Sequence, residues 1–117
     1  MLIKNALASV AVKDLNLAIK WYEKLFGKPA DSRPMSELAE WKFERGGWLQ
    51  VYQLPERAGS GSFTLAVNSM DELVAELKKL GITGEISSGE KVKTLMITDP
   101  DGNHIAFAEA IDPSMAK

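Results

Sequence analysis

A chain of 117 residues is long enough to bury one core and too short to hold two independent ones. Its 45% hydrophobic and 26% charged residues are ordinary for a globular protein, and a formal net charge of −2 offers no basic surplus for a phosphate backbone, so nucleic acid is not an expected partner. The lack of cysteine removes disulfides, thiolate metal sites and thiol nucleophiles and fits a cytoplasmic location, and no apolar run approaches the ~20 residues needed to span a bilayer.

The N-terminal stretch is rich in aliphatic and small residues, which predicts a buried strand over Leu2–Val12 and not a signal peptide. Asp14 then stands where a helix can start. Apolar residues at 18, 21, 22 and 25 keep a helical spacing, and Gly27 supplies the stop. After the Pro-containing passage "KPADSRPM", the segment "LAEWKFERGGWLQVYQLP" alternates as two strands do, with Gly46-Gly47 between them as a hairpin turn signal. "PERAGSGS" has linker composition, and its "GSGS" lacks the Lys-Ser/Thr of a phosphate loop. "FTLAV" reads as a strand. "SMDELVAELKKLG" reads as a helix with Ser69 and Glu72 as a capping box, Leu73, Leu77 and Leu80 on the buried stripe, and Gly81 as stop. "KVKTLMITDPDGNHIAFAEA" predicts strand, tight turn and strand, and "IDPSMAK" a frayed tail.

"AVKDLNLAIKWYEKLFG" from Ala11 lies over "AVNSMDELVAELKKLG" from Ala66, with strand end, capping position, helix and terminal glycine in the same order. The chain therefore reads as one unit written twice. The first copy occupies about residues 1–55, a linker about 55–61 and the second copy about 62–111 of a single domain.

A duplicated unit of this kind, ending its second copy in "DPDGNHIAFAE", resembles the vicinal oxygen chelate superfamily of glyoxalases, extradiol dioxygenases and bleomycin-resistance proteins. The resemblance implies an α+β fold of two βαβββ modules whose sheets curve into a cup-shaped, partly open barrel, with the helices outside. It also implies a homodimer with sites in or beside the cup. Enzymes of the superfamily hold a divalent metal at four strand positions, and here those positions carry Leu7, Gln50, Ser62 and Ala106. Leucine and alanine cannot coordinate, and neutral Gln and Ser are poor ligands without carboxylate or imidazole help, so neither a metal nor another cofactor is expected.

Strand alternation puts Trp48, Gln50 and Tyr52 on one face. A two-residue Gly46-Gly47 turn would add Phe43 and Trp41 to that face, opposite Gln50 and Tyr52. A three-residue loop would reverse both and pack them under a helix. Leu7 and Ser9 join from the first strand, Ser62 from the fifth, Ala106 and Ala108 from the last, while Glu40 and Glu44 read as a solvated strand face. His104, the only histidine, shares the parity of Ala106. It reads first as a partly exposed residue after a turn, and second as a rim contact or general base. Glu109 has the opposite parity, and Asp99 and Asp101 suit Asx-type turn bonds. Three functions are compatible with these residues: a metal-independent binder of an apolar or aromatic small molecule such as an antibiotic or metabolite, a glyoxalase-type lyase, isomerase or dioxygenase, and a dimerising interaction module.

Overall fold

The computed structural model describes residues 2–110, the backbone alone for Ala110; Met1 and the tail at 111–117 lie outside the described residues. The first module runs β1 (Leu7–Val12), α1 (Leu15–Phe26), β2 (Ser32–Met35), β3 (Leu38–Lys42), β4 (Trp48–Gln53). A 3₁₀ turn at Pro55–Arg57 leads to the second: β5 (Ser62–Ala66), α2 (Met70–Lys79), β6 (Glu85–Ser88), β7 (Val92–Thr98), β8 (His104–Ala110). Each module is a four-stranded mixed sheet with one helix, ordered β1-β4-β3-β2 and β5-β8-β7-β6, with the first strand parallel to the last. This is the α+β duplication expected. No described helix is long and apolar enough to cross a membrane.

The helices form where their caps say they should. Asp14 accepts the amide of Leu17, and Gly27 closes α1 in the left-handed region at φ 71°. Ser69 accepts the amide of Glu72, while the amide of Met70 is capped from β8, by Glu109. Met70 and Leu77 carry the buried side of α2; Leu80, expected on that stripe, stands at the C-cap, past the last full turn, and is 38% exposed.

The strand expected over Leu2–Val12 begins only at Leu7. Leu7 pairs with Trp48, the first residue of β4, so the residues before it have no ladder to join, and Leu2 and Ile3 are exposed.

The hairpin between β3 and β4 sets which side chains meet. Phe43 and Gly47 close it, the Phe43 amide donating to the Gly47 carbonyl and the Gly46 amide to that of Phe43, with Gly46 at φ 91°. The loop thus has three residues and not two. The β7–β8 turn repeats it: the Asp99 amide donates to Asn103, the Gly102 amide to Asp99, and Gly102 has φ 95°. The observed register pairs Leu38 with Tyr52, Glu40 with Gln50 and Trp41 with Leu49.

One core runs under both helices. Val10, Val12, Ala39, Trp41, Leu49 and Val51 meet Leu15, Ala18 and Tyr22 of α1, and Phe63, Leu95, Ile97, Ile105 and Phe107 meet Met70 and Leu77 of α2.

The turn Asp99–Asn103 joins the modules. Asp99, 4% exposed, accepts through Oδ1 from the amides of Asp101 and Asn103, and through Oδ2 from the Tyr22 hydroxyl and Asn103 Nδ2. Asn103 is fully buried: Nδ2 also donates to the Ala11 carbonyl, and Oδ1 accepts from the amides of Gly59 and Gly61. Asp101 reaches the amide of Lys13. The Asx bonds expected of Asp99 are therefore present, whereas Asp101 turns its carboxylate to the Lys13 amide between β1 and α1.

Asn103→Ala strands the amides of Gly59 and Gly61 and the Ala11 carbonyl, and each buried unsatisfied group costs about 1–3 kcal/mol. Denaturant unfolding should show a loss of roughly 3 kcal/mol or more; a loss under about 1 kcal/mol would contradict this role. Burial pushes the Tyr22 phenol above its ordinary value of 10.0, and the Asp99 carboxylate 2.8 Å away pushes it further. Above about pH 10 the unfolded chain releases that proton while the folded one keeps it, so stability falls as pH rises. Tyr22→Phe should flatten this alkaline decline while costing stability at neutral pH; an unchanged alkaline slope would contradict the assignment.

Candidate ligand-binding site

The three-residue hairpin loop divides the first sheet into two faces. Trp41 lies on the helix side, fully buried, its Nε1 donating to the Lys28 carbonyl at 3.1 Å, its ring beside Tyr22 and Phe26. Phe43 follows it, edge-on to Phe26 with centroids 5.2 Å apart. Of the two facings open to Trp41 and Phe43, the three-residue loop gives the one under the helix, away from Gln50 and Tyr52, so neither joins the open face as a site residue.

The face away from the helix carries Leu7, Ser9, Trp48, Gln50 and Tyr52, as alternation required, and adds Leu38, Glu40 and Lys42 from β3. A polar chain crosses all four strands. Ser9 Oγ donates to Gln50 Oε1 at 2.8 Å, Gln50 Nε2 to Glu40 Oε2 at 2.7 Å, and Ser32 Oγ to Glu40 Oε1 at 2.9 Å. Glu40, read from the sequence as a solvated residue, is instead half-buried at the middle of this chain. The shared hairpin pattern is the signal that finds it: laying "FERGG" over "DPDGN" transfers the second turn's loop length to the first.

A cavity of about 560 Å³ opens on this face, lined by Ser9, Leu38, Gln50, Tyr52, Gln53 and the β2–β3 connection at Met35, Ser36 and Glu37. Its size falls in the range of small-molecule pockets. A larger cleft of about 940 Å³ lies between the modules, where Leu7, Phe43 and Trp48 face Leu65 and Leu73. The expected site residues therefore divide: Ser9, Gln50 and Tyr52 share the cavity, and Leu7, Phe43 and Trp48 line the cleft. Ser62, His104 and Ala106 lie together on the open face of the second sheet, where Ser62 pairs with His104 and Thr64 with Ala106, and they line neither. His104 is exposed, its amide donating to the Gly61 carbonyl.

The superfamily's metal does not fit the residues at its four positions. Leu7 and Ala106 bring no donor atom, Ser62 is an exposed hydroxyl, and both amide atoms of Gln50 are engaged by Ser9 and Glu40. Among the described residues, no three His, Cys, Asp or Glu side chains gather into a possible metal set.

Two βαβββ modules joined by an Asp-Pro-Asp-Gly-Asn turn whose Asp99 and Asn103 are buried define a glyoxalase-like scaffold. Residues 5–107 match the Glyoxalase/Bleomycin resistance protein/Dioxygenase superfamily, and the chain belongs to it. It is 33% identical to a glyoxalase / bleomycin resistance protein from Catenulispora acidiphila, with a TM-score of 0.81 over 90% of this chain and 96% of that one. It shares 29% identity over 118 aligned residues with a trivalent organoarsenical cleaving enzyme of a Bacillus strain, covering 90% of this chain and 72% of that protein. TnmS3, an antibiotic binding protein from a Streptomyces, has the same fold at 23% identity and a TM-score of 0.80, over 94% of this chain and 98% of its own.

Equilibrium dialysis against Zn²⁺, Ni²⁺, Mn²⁺ or Fe²⁺ should leave well under about one bound ion per chain, and the melting temperature should not move with added metal. Stoichiometric metal at micromolar concentration would contradict the misfit of these positions.

Proposed function

We propose that this protein binds an apolar or aromatic small molecule without a metal, in the cavity on the open face of the first sheet, as an antibiotic- or metabolite-sequestering protein does. The observation that carries the reading is the cavity itself. It joins an apolar wall of Met35, Leu38 and the Tyr52 ring to the polar groups of Ser9, Glu37, Gln50 and Gln53. The misfit of Leu7, Gln50, Ser62 and Ala106 to a divalent ion turns the reading away from metal-dependent lyase, isomerase or dioxygenase chemistry. Likeness to an organoarsenical cleaving enzyme keeps an enzyme as the second reading. A homodimer in the cytoplasm accompanies the proposal, and the exposed apolar Leu2, Ile3 and Leu7 support the dimer. The open face of the second sheet, with Ser62, His104 and Ala106, is then available to cover the cavity of the other copy.

A thermal-shift screen of aromatic antibiotics and metabolites should give ligands that raise the melting temperature. Tyr52→Ala should weaken those ligands by about tenfold, the order of one lost aromatic contact, with little change in the unliganded melting temperature. A broad panel with no stabilising member, or turnover of an organoarsenical by the metal-loaded protein, would overturn the binding-protein reading.

A further inference from the structure

The polar chain across the first sheet runs in one direction, set by the member that can only accept. Glu40 is a carboxylate, so every hydrogen in its bonds comes from a partner: Ser32 Oγ at 2.9 Å and Gln50 Nε2 at 2.7 Å. The atom that Gln50 turns to Glu40 is therefore its amide nitrogen, which leaves its carbonyl oxygen facing β1. Ser9 Oγ lies 2.8 Å from that oxygen and donates to it. A hydroxyl has a single hydrogen. With that hydrogen given to Gln50, Ser9 has only lone pairs left to offer.

Ser9 is exposed and lines the ligand cavity together with Gln50 and Tyr52. Nearby, the Tyr52 hydroxyl can donate or accept, the Glu37 carboxylate only accepts, and Gln50 keeps one amide hydrogen beyond the one it gives to Glu40. A ligand atom that meets Ser9 must bring its own hydrogen. An atom able only to accept would have to draw the Ser9 hydrogen away from Gln50 and leave that half-buried carbonyl unpaired. A hydroxyl group meets Ser9 without that loss. It donates to Ser9 Oγ and still has lone pairs for the remaining Gln50 amide hydrogen.

We propose that Ser9 is a specificity-determining residue of this cavity and selects aromatic ligands that carry a hydroxyl group, as phenols do. The hydroxyl donates to Ser9 Oγ, and the ring lies along Leu38, Met35 and Tyr52. Glu40 touches no ligand. It is a positioning residue, acting through Gln50 to keep the chain running one way. This inference rests on the small-molecule reading above and adds to it the hydrogen-bonding character of the ligand.

The test uses three probes built on one ring system, 6-hydroxyquinoline, 6-methoxyquinoline and quinoline, titrated at neutral pH by calorimetry against the full chain. The hydroxy compound should bind about fivefold more tightly than either of the others, the order of one hydrogen bond. Ser9→Ala should bring it down to the affinity of quinoline, whose own binding stays within about twofold, and Ser9→Thr should keep the preference. Glu40→Gln lets the chain run either way, because an amide at this position can also donate to Gln50 and so release the Ser9 hydrogen. The methoxy compound, an acceptor only, should then rise to within about twofold of the hydroxy compound. A loss of stability alone would not raise it. Equal binding of the three probes to the unsubstituted protein, or a preference that survives Ser9→Ala or Glu40→Gln, overturns the assignment while leaving the binding reading standing. No binding of any probe, at millimolar concentration, overturns both.

Discussion

The architecture depends on a small set of buried hydrogen bonds around Asn103. Its amide group holds the Ala11 carbonyl of β1 on one side and the amides of Gly59 and Gly61 on the other, while Asp99 receives the hydroxyl of Tyr22 from α1. These bonds connect the two modules where β1 ends and β5 begins, and they do so in a region without solvent. Gly61 packs so closely there that a β-carbon would come within 3.0 Å of Asn103 Oδ1 and 3.1 Å of Val10 Cγ2. An apolar contact at this junction would permit sliding between the sheets. A fully satisfied polar cluster of this kind permits one arrangement, because any other leaves desolvated donors unpaired.

A second constraint, the three-residue hairpin loop, determines what each face of the first sheet can do. With Gly46 in the left-handed region, Trp41 falls beneath α1 and Glu40 falls opposite Gln50. A loop shorter by one residue would exchange them, burying a carboxylate in the core and exposing an indole on the open face. The hydrophobic pattern and the turn therefore agree on one register, and that agreement builds the polar chain from Ser32 through Glu40 and Gln50 to Ser9. The candidate chemistry of the protein follows from this register: the Glu40 carboxylate and several neutral donors and acceptors on a half-open surface, with the Tyr52 ring beside them.

Most of the fold was legible in the residues. The two helices, their Asp14 and Ser69 caps and the glycines after them were read from local rules that hold without tertiary help. The edge strands β2 and β6 escaped residue-by-residue reading. They are four residues each, and one contains Pro34, which has no N–H to donate and is tolerated where an edge strand's outward side needs no donor. The site was legible in part. Alternation along β1 and β4 was enough to put Ser9, Gln50 and Tyr52 on one sheet face, since it needs only the strand itself. The facing of Trp41 and Phe43 stayed open, and Glu40 was read as solvated, because all three depend on a turn whose length Gly46-Gly47 leaves open. The repeat held the missing information, in the five-residue correspondence of "FERGG" with "DPDGN".

The account centres on the open face of the first sheet as the place where a ligand rests. The most direct measurement is a two-dimensional amide NMR titration of the assigned protein with any ligand that stabilises it. The largest shifts should cluster at Ser9, Leu38, Glu40, Gln50 and Tyr52. Shifts concentrated instead at Phe26, Leu65 and Leu73, in the cleft between the modules, would contradict it.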